Sequence, residues 1–167
     1  PAIMGVINMS PNSFYKPSAS FKQGLALARD MISQGATILD VGGEATNPFV
    51  DIDADAPSIN NEIDRIVPLV RAIRAECNDV IISVDTSTPR VMEAAVAAGA
   101  TMINDQRALL REGALDMAVA LNVPVCLMHL PWPMRTPGSS SPAQLLKTIT
   151  ADFEEWIERC LKAGIAP

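Results

Sequence analysis

The stretch Gly35-Ala36-Thr37-Ile38-Leu39-Asp40-Val41-Gly42-Gly43-Glu44-Ala45-Thr46-Asn47-Pro48 runs from a glycine into a short apolar segment and then breaks into glycines, an acid, a hydroxyl and a proline. Its first half returns as Gly99-Ala100-Thr101-Met102-Ile103-Asn104. Both copies read as a glycine that ends a helix, followed by a buried strand closed by a polar residue, which places Asp40 and Asn104 at equivalent positions. Apolar runs of strand length recur at Ile3 to Asn8, Thr37 to Val41, Val80 to Val84, Thr101 to Asn104 and Val123 to Met128. Their polar ends, including Asn8, Asp85 and His129, fall on the carboxyl edge of a parallel sheet, where α/β folds bind ligands. A strand that ends in acids and glycines is therefore expected to end at a site.

Helical patterns separate these strands. The first carries Phe21, Leu25, Ala28 and Ile32 at spacings of three and four, with Ser20 as N-cap and Gly35 past its end. The second, about Asn61 to Glu76, has Ile63, Ile66, Val70 and Ile73 on one face, and Pro68 is expected to kink it or delay its start. A third follows Thr88 from about Pro89 to Gly99, and a fourth spans about Gly113 to Leu121. The fifth, Pro142 to Ala163, lines up Leu145, Ile149, Phe153, Trp156 and Cys160, which read as core. This β-α alternation suits an open doubly wound sheet or part of an eight-stranded barrel, and periodicity does not choose between them.

Composition narrows the function. The 167 residues are 49% hydrophobic and 19% charged, enough for one domain with a substantial core. A net charge of −6 with scattered basic residues disfavours nucleic acid and anionic membranes as partners and favours a small molecule. No apolar run approaches the roughly 18 residues that cross a bilayer, and no signal-peptide pattern opens the chain, so a cytoplasmic protein is expected. Cys77, Cys126 and Cys160, odd in number and among apolar neighbours, read as buried reduced thiols. A zinc site would need Cys126 and His129, whose spacing of three puts them on opposite faces of a strand, so any metal is expected on oxygen ligands. No Ser-His-Asp or Cys-His arrangement suggests a covalent intermediate.

Five motifs in order, MGVINMSPNSF (4 to 14), GATILDVGGEATNP (35 to 48), ISVDTSTPRVM (82 to 92), GATMINDQRAL (99 to 109) and PVCLMH (124 to 129), resemble the dihydropteroate synthase family of folate biosynthesis. The resemblance implies an α/β fold, a TIM (β/α)₈ barrel of which this chain holds the first five β-α units, as a single pterin-binding domain over residues 1–167 that continues past Pro167. It implies a transferase joining p-aminobenzoate to 6-hydroxymethyl-7,8-dihydropterin pyrophosphate with release of pyrophosphate, aided by Mg²⁺, and a homodimer in the full-length protein. Two related readings share the pterin contacts: a methyltetrahydrofolate-to-corrinoid methyltransferase domain and a non-catalytic pterin-binding paralogue.

Residue by residue, the resemblance places pterin contacts at Asp40, Asp85, Asn104 and Met128. A pterin ring presents a donor-rich edge that a carboxylate can accept in bidentate fashion, and Asn104 offers both a donor and an acceptor. Without the resemblance, Asp85 could cap the following helix and Asp40 could be a buried acid satisfied by backbone amides. Asn8 is similar to the family's Mg²⁺ ligand beside the pyrophosphate, and Thr46 to a hydroxyl that binds phosphate oxygens. Phe14 and Pro48 resemble residues that shape the p-aminobenzoate pocket. Asn8 as a turn asparagine, and Phe14 and Pro48 as incidental loop residues, are the plainer alternatives. The chain departs from the family at Asn12 and Lys16, which stand where loop aspartates are usual, at Asn47, where an arginine is usual, and at Gln106, where an apolar residue is usual. The family's DPGFG-like motif, lysine and R-x-H would fall after Pro167.

Overall fold

The computed structural model describes residues 1–11, 20–45, 56–130 and 141–167. Five strands, β1 (Met4–Asn8), β2 (Ile38–Gly42), β3 (Ile81–Asp85), β4 (Met102–Asp105) and β5 (Val125–Leu127), alternate with helices α1 (Phe21–Ser33), α2 (Ile59–Glu76), α3 (Pro89–Ala97), α4 (Ala114–Leu121) and α5 (Pro142–Ala163). All neighbouring strands are parallel and their spatial order is β1-β2-β3-β4-β5. A doubly wound sheet reverses its order partway, whereas this one advances one step at a time in a single direction, as a barrel wall does. Among the described residues no helix is long and apolar enough to cross a membrane.

Helices cover one face of the sheet. Ile7, Leu39, Val41, Ile82, Val84 and Ile103 are fully buried there against Ile66, Leu69, Val70, Ile73, Val91 and Met92. On the other face Met4, Val6 and Ile81 remain 39%, 49% and 42% exposed, so the inner side of the wall is open among the described residues.

The helices form where their periodicity predicts, with instructive exceptions. Ser20 Oγ accepts the Gln23 amide at 3.3 Å and caps α1. Phe21, expected in the buried stripe, is exposed, because α1 approaches its neighbours through Gly24 and Ala28. A Cβ on Gly24 would lie 2.8 Å from Met9 Sδ and 3.0 Å from Leu69 Cδ2. α2 begins at Ile59, capped by Ser58, and runs through Pro68 rather than starting after it. Pro68 and Asp64, whose carbonyl loses its partner, both face solvent, while Ile66, Leu69, Val70 and Ile73 hold the helix to the sheet. The stripe on α5 is core only in its second half: Trp156 and Cys160 are buried, Ile149 and Phe153 half-buried, and Leu145 is 54% exposed. β5 is three residues long, and the start of α5, Leu145 and Leu146 included, stands exposed.

At the amino-terminal end of the strands, Arg74 works as a bracket. Its Nε donates to Gly99 O (3.1 Å), Nη1 to Cys77 O (3.2 Å) and Asn78 O (2.6 Å), and Nη2 to Val80 O (3.0 Å). One guanidinium thus ties the end of α2 to the turns that launch β3 and β4. Gly99 is needed beside it, with φ +118° and space for a Cβ only 2.8 Å from Arg74 Cγ. Arg74→Met should lower the unfolding free energy by about 2–4 kcal/mol, since charge-assisted bonds contribute roughly 1.5–3 kcal/mol each and the carbonyls regain partial hydration. Urea denaturation checks this, and ligand affinity, read at the opposite end of the strands, should not change.

Candidate functional site

The register builds the site in rows. Val6, Asp40, Ser83 and Met102 lie side by side across β1 to β4, and the next row toward the carboxyl ends holds Asn8, Gly42, Asp85, Asn104 and Cys126. Because successive strand residues face opposite ways, both rows point to the inner face while Leu39, Val41, Ile82, Val84 and Ile103 point to the helices. Asp40 therefore sits one row deeper than Asn104, not level with it as the glycine-led repeat suggested. Hydrogen-bond register, staggered from strand to strand as in barrels, sets the level of a residue, and distance from the preceding glycine does not.

Two carboxylates and two carboxamides meet in these rows. Asn104 Nδ2 donates to Asp40 Oδ2 at 3.0 Å, and Gln106 Nε2 donates to Asp85 Oδ2 at 2.7 Å. Asp40 Oδ1 is buried without a hydrogen-bond partner, as is the Ser83 hydroxyl one strand away. Asp85 Oδ1 receives no hydrogen bond among the described residues. Gly42 makes the arrangement possible: a Cβ there would lie 3.2 Å from Asp85 Oδ2 and crowd the carboxylate. Gly43 serves packing instead, since its Cβ would press on Glu62 Cγ and Ile66 Cγ2 at 3.0 Å.

These contacts decide the two local alternatives. Thr88 is the N-cap residue of α3 and makes no side-chain cap bond, and Asp85 is engaged by Gln106, so Asp85 does not cap the helix. Asp40 is held by a side-chain amide, with one oxygen left over, and not by backbone amides. Burial raises the pKa of both acids, Asp85 well above the ordinary carboxylate range. For Asp85 the charge of Asp40 adds to burial, and the Gln106 bond opposes both. For Asp40, the nearby Ser83 hydroxyl, which does not meet it in full hydrogen-bond geometry, and the Asn104 bond partly offset burial. Two acceptor oxygens without hydrogen bonds among the described residues, on neighbouring strands, are a demand for a ligand that brings donors.

Behind the inner face a buried network fixes the strand ends. Arg107 is 1% exposed and grips Glu44 with both arms, Nη2 to Oε1 at 2.7 Å and Nη1 to Oε2 at 3.2 Å. Nη1 also donates to Ser87 Oγ at 3.1 Å, and the Ser87 hydroxyl donates to Asp105 Oδ1. Asp105 faces away from Asn104 and holds its own turn, accepting the amides of Arg107 (2.8 Å) and Leu109 (3.0 Å). That turn carries Ala108 and Leu109 at φ +50° and +56°, a strain the Asp105 carboxylate and the Arg159 bonds to both carbonyls hold in place. Glu62 accepts from the Thr86 hydroxyl one layer further out. Glu44, Arg107 and Ser87 escaped the sequence reading, whose only hint of them was a charge or hydroxyl just past each strand end.

The remaining expected residues divide. Asn8 ends β1 in the same row as Asp85, with Gly42 between them. Met128 follows β5, its amide donating to Asp105 O at 3.1 Å, and its side chain is exposed. His129 leaves the site: its Nε2 pairs with Asp152 Oδ2 at 2.9 Å and its ring packs on Trp156 and Phe153, which anchors α5. Cys160 is buried as expected, but Cys77 is half-buried, and Cys126 is exposed because its row on β5 opens to the inner face. Phe14, Thr46 and Pro48, with Asn12, Lys16 and Asn47, lie outside the described residues. Among the described residues no cluster of His, Cys, Asp and Glu could hold a metal ion.

The family described as pterin binding enzyme matches residues 4–167. Over 99% of its length the chain is 40% identical to dihydropteroate synthase of Escherichia coli and 39% identical to that of Haemophilus influenzae. It spans 58% and 59% of those relatives. The structure of a dihydropteroate synthase from Coxiella burnetii with pteroic acid superposes with a TM-score of 0.92 at 50% identity, covering 99% of this chain and 57% of that one. The Yersinia pestis enzyme with a sulfonamide drug gives 0.88 at 40% identity, covering 99% and 59%.

A raised pKa has a stability consequence with a definite sign. An acid that binds its proton more tightly when folded favours the fold below its unfolded pKa, near 3.8, and loses that contribution as pH rises through the folded pKa. At neutral pH the buried Asp85 charge is thus a burden on the fold. Asp85→Asn should stabilise the protein at pH 7.5 and give a smaller gain at pH 4, as urea denaturation at the two pH values would show.

Proposed function

Because this chain belongs to the pterin binding enzyme family, we propose that it forms the amino-terminal part of a dihydropteroate synthase and holds the pterin of 6-hydroxymethyl-7,8-dihydropterin pyrophosphate for transfer to p-aminobenzoate. The observation that carries this reading is the pair of acids on the inner face, Asp40 and Asp85, each with one oxygen, Oδ1, left without a hydrogen bond among the described residues. A pterin edge, with a 2-amino group beside ring N–H groups, supplies donors of that kind. The same acceptors would suit a folate methyltransferase domain, and the 40% identity to the E. coli synthase across 99% of the chain favours the synthase.

In this reading Asp85 and Asp40 accept hydrogen bonds from the pterin edge and Asn104 meets the remaining ring positions through its carbonyl oxygen. The two carboxylates are partly shielded from water, and charge-assisted bonds there fix the ring's orientation and so aim its methylene carbon past the carboxyl ends of the strands. The C–O bond to pyrophosphate breaks with its electron pair leaving on oxygen, the amine nitrogen of p-aminobenzoate forms the new C–N bond, and the amine loses a proton. Asn8, Thr46, Phe14 and Pro48 are proposed to serve the pyrophosphate and p-aminobenzoate ends. A neutral amide oxygen at Asn8, with no cluster of metal-binding side chains among the described residues, fits an Mg²⁺ held mostly by phosphate oxygens and water. When bound, such an ion neutralises charge on the departing pyrophosphate. The reading brings with it a cytoplasmic enzyme, a single pterin-binding domain here and a homodimer for the full-length protein.

Two measurements on the full-length protein check these assignments. Asp85→Ala should weaken pterin binding about tenfold for one lost bond and a hundredfold or more for two, at roughly 1.5–3 kcal/mol per charge-assisted bond. Calorimetric titration showing a change within about threefold would place the pterin elsewhere. Asn8→Ala should weaken Mg²⁺-dependent binding of pyrophosphate while affinity for the bare pterin stays nearly intact, and equal loss of both ligands would contradict that division.

A further inference from the structure

We propose that Gln106 is a positioning residue for Asp85, fixing the carboxylate at the angle from which it accepts the pterin edge. This deepens the reading of the site given above and rests on it. The inner side of β4 and the turn after it carries carboxamides at positions 104 and 106, and each clasps one acid: Asn104 holds Asp40 on β2 and Gln106 holds Asp85 on β3. An apolar residue at position 106 could not make the second clasp.

An aspartate at a strand end can turn about two side-chain bonds, so an unheld carboxylate would lose that freedom only when the ligand binds. Here the 2.7 Å bond from Gln106 Nε2 engages Oδ2, in space that Gly42 leaves because it has no Cβ to crowd that oxygen. The other oxygen is left as the acceptor. The donor is itself held rigidly. Its neighbours Asp105 and Arg107 are 0% and 1% exposed, Asp105 fixes the turn through two backbone amides, and Arg107 is locked to Glu44 and Ser87. The buried network thus reaches the ligand through Gln106, and it presents Asp85 in one orientation before the ligand arrives.

A double-mutant cycle on the full-length protein tests this, with 6-hydroxymethyl-7,8-dihydropterin pyrophosphate as the probe and affinity read by calorimetry. Gln106→Leu should weaken binding about tenfold when Asp85 is present and less than threefold in the Asp85→Ala background, because a residue acting through Asp85 has nothing to position once it is gone. Gln106→Glu, equal in size but anionic at pH 8, should weaken binding further than Gln106→Leu and keeps the cycle readable if the leucine variant folds poorly. Urea denaturation confirms that each variant is folded. Equal loss in both backgrounds, or no loss from either variant, overturns the assignment while Asp85→Ala alone still reports on the pterin site. A wild-type protein that does not bind the probe overturns the site reading and this assignment together.

Discussion

The ion pair between Arg107 and Glu44 is the constraint on which the strand ends depend. Both groups are almost fully buried, and removing two charges from water is costly unless every donor and acceptor is met in good geometry. The two-armed grip, the Ser87 hydroxyl and the Asp105 carboxylate meet most of that demand by drawing together residues at the ends of β2, β3 and β4. None of these elements can shift alone without stranding a charge. The rows of the inner face inherit their alignment from this lock.

Against that fixed background the site itself is built from unfavourable terms. Asp40 and Asp85 repel one another, both are disfavoured as anions by burial, and one oxygen of Asp40 is buried without a partner. A sheet selected for stability alone would place apolar or neutral residues there, as it does on the helix-facing side of the same strands. The carboxamides of Asn104 and Gln106 lessen the penalty without removing it. What remains is a set of acceptors prepared in advance for donors, so a ligand meets little reorganisation on binding.

Division of labour runs along the strands as well as across them. The amino-terminal end is bracketed by Arg74 through backbone carbonyls, a contact set that is structural throughout. At the carboxyl end His129 is turned aside from the site by Asp152 and the aromatic rings of α5. The open inner face, with Met4, Val6, Ile81 and Cys126 exposed, belongs to a wall whose relatives are longer than this chain.

The sequence by itself determined the alternation of strands and helices, the cap at Ser20, the helix start at Pro89, and the placement of Asp40, Asp85 and Asn104 at the carboxyl edge of the sheet. Those features follow from local rules: periods of two and 3.6, glycine at positive φ, and polar residues that interrupt apolar runs. Tertiary structure alone decided the level at which each residue stands, since register depends on pairing between strands, and so put Asp40 a row below Asn104. It also decided which polar residues met. Gln106 reaches Asp85 across 21 residues of sequence and Arg107 reaches Glu44 across 63. No periodicity encodes such encounters, because they arise when separate strands bring side chains of the right length within hydrogen-bond distance. For the same reason Phe21 and Leu145, apolar at helical spacing, are exposed: a stripe states which face would be buried, and only a neighbour in space can bury it.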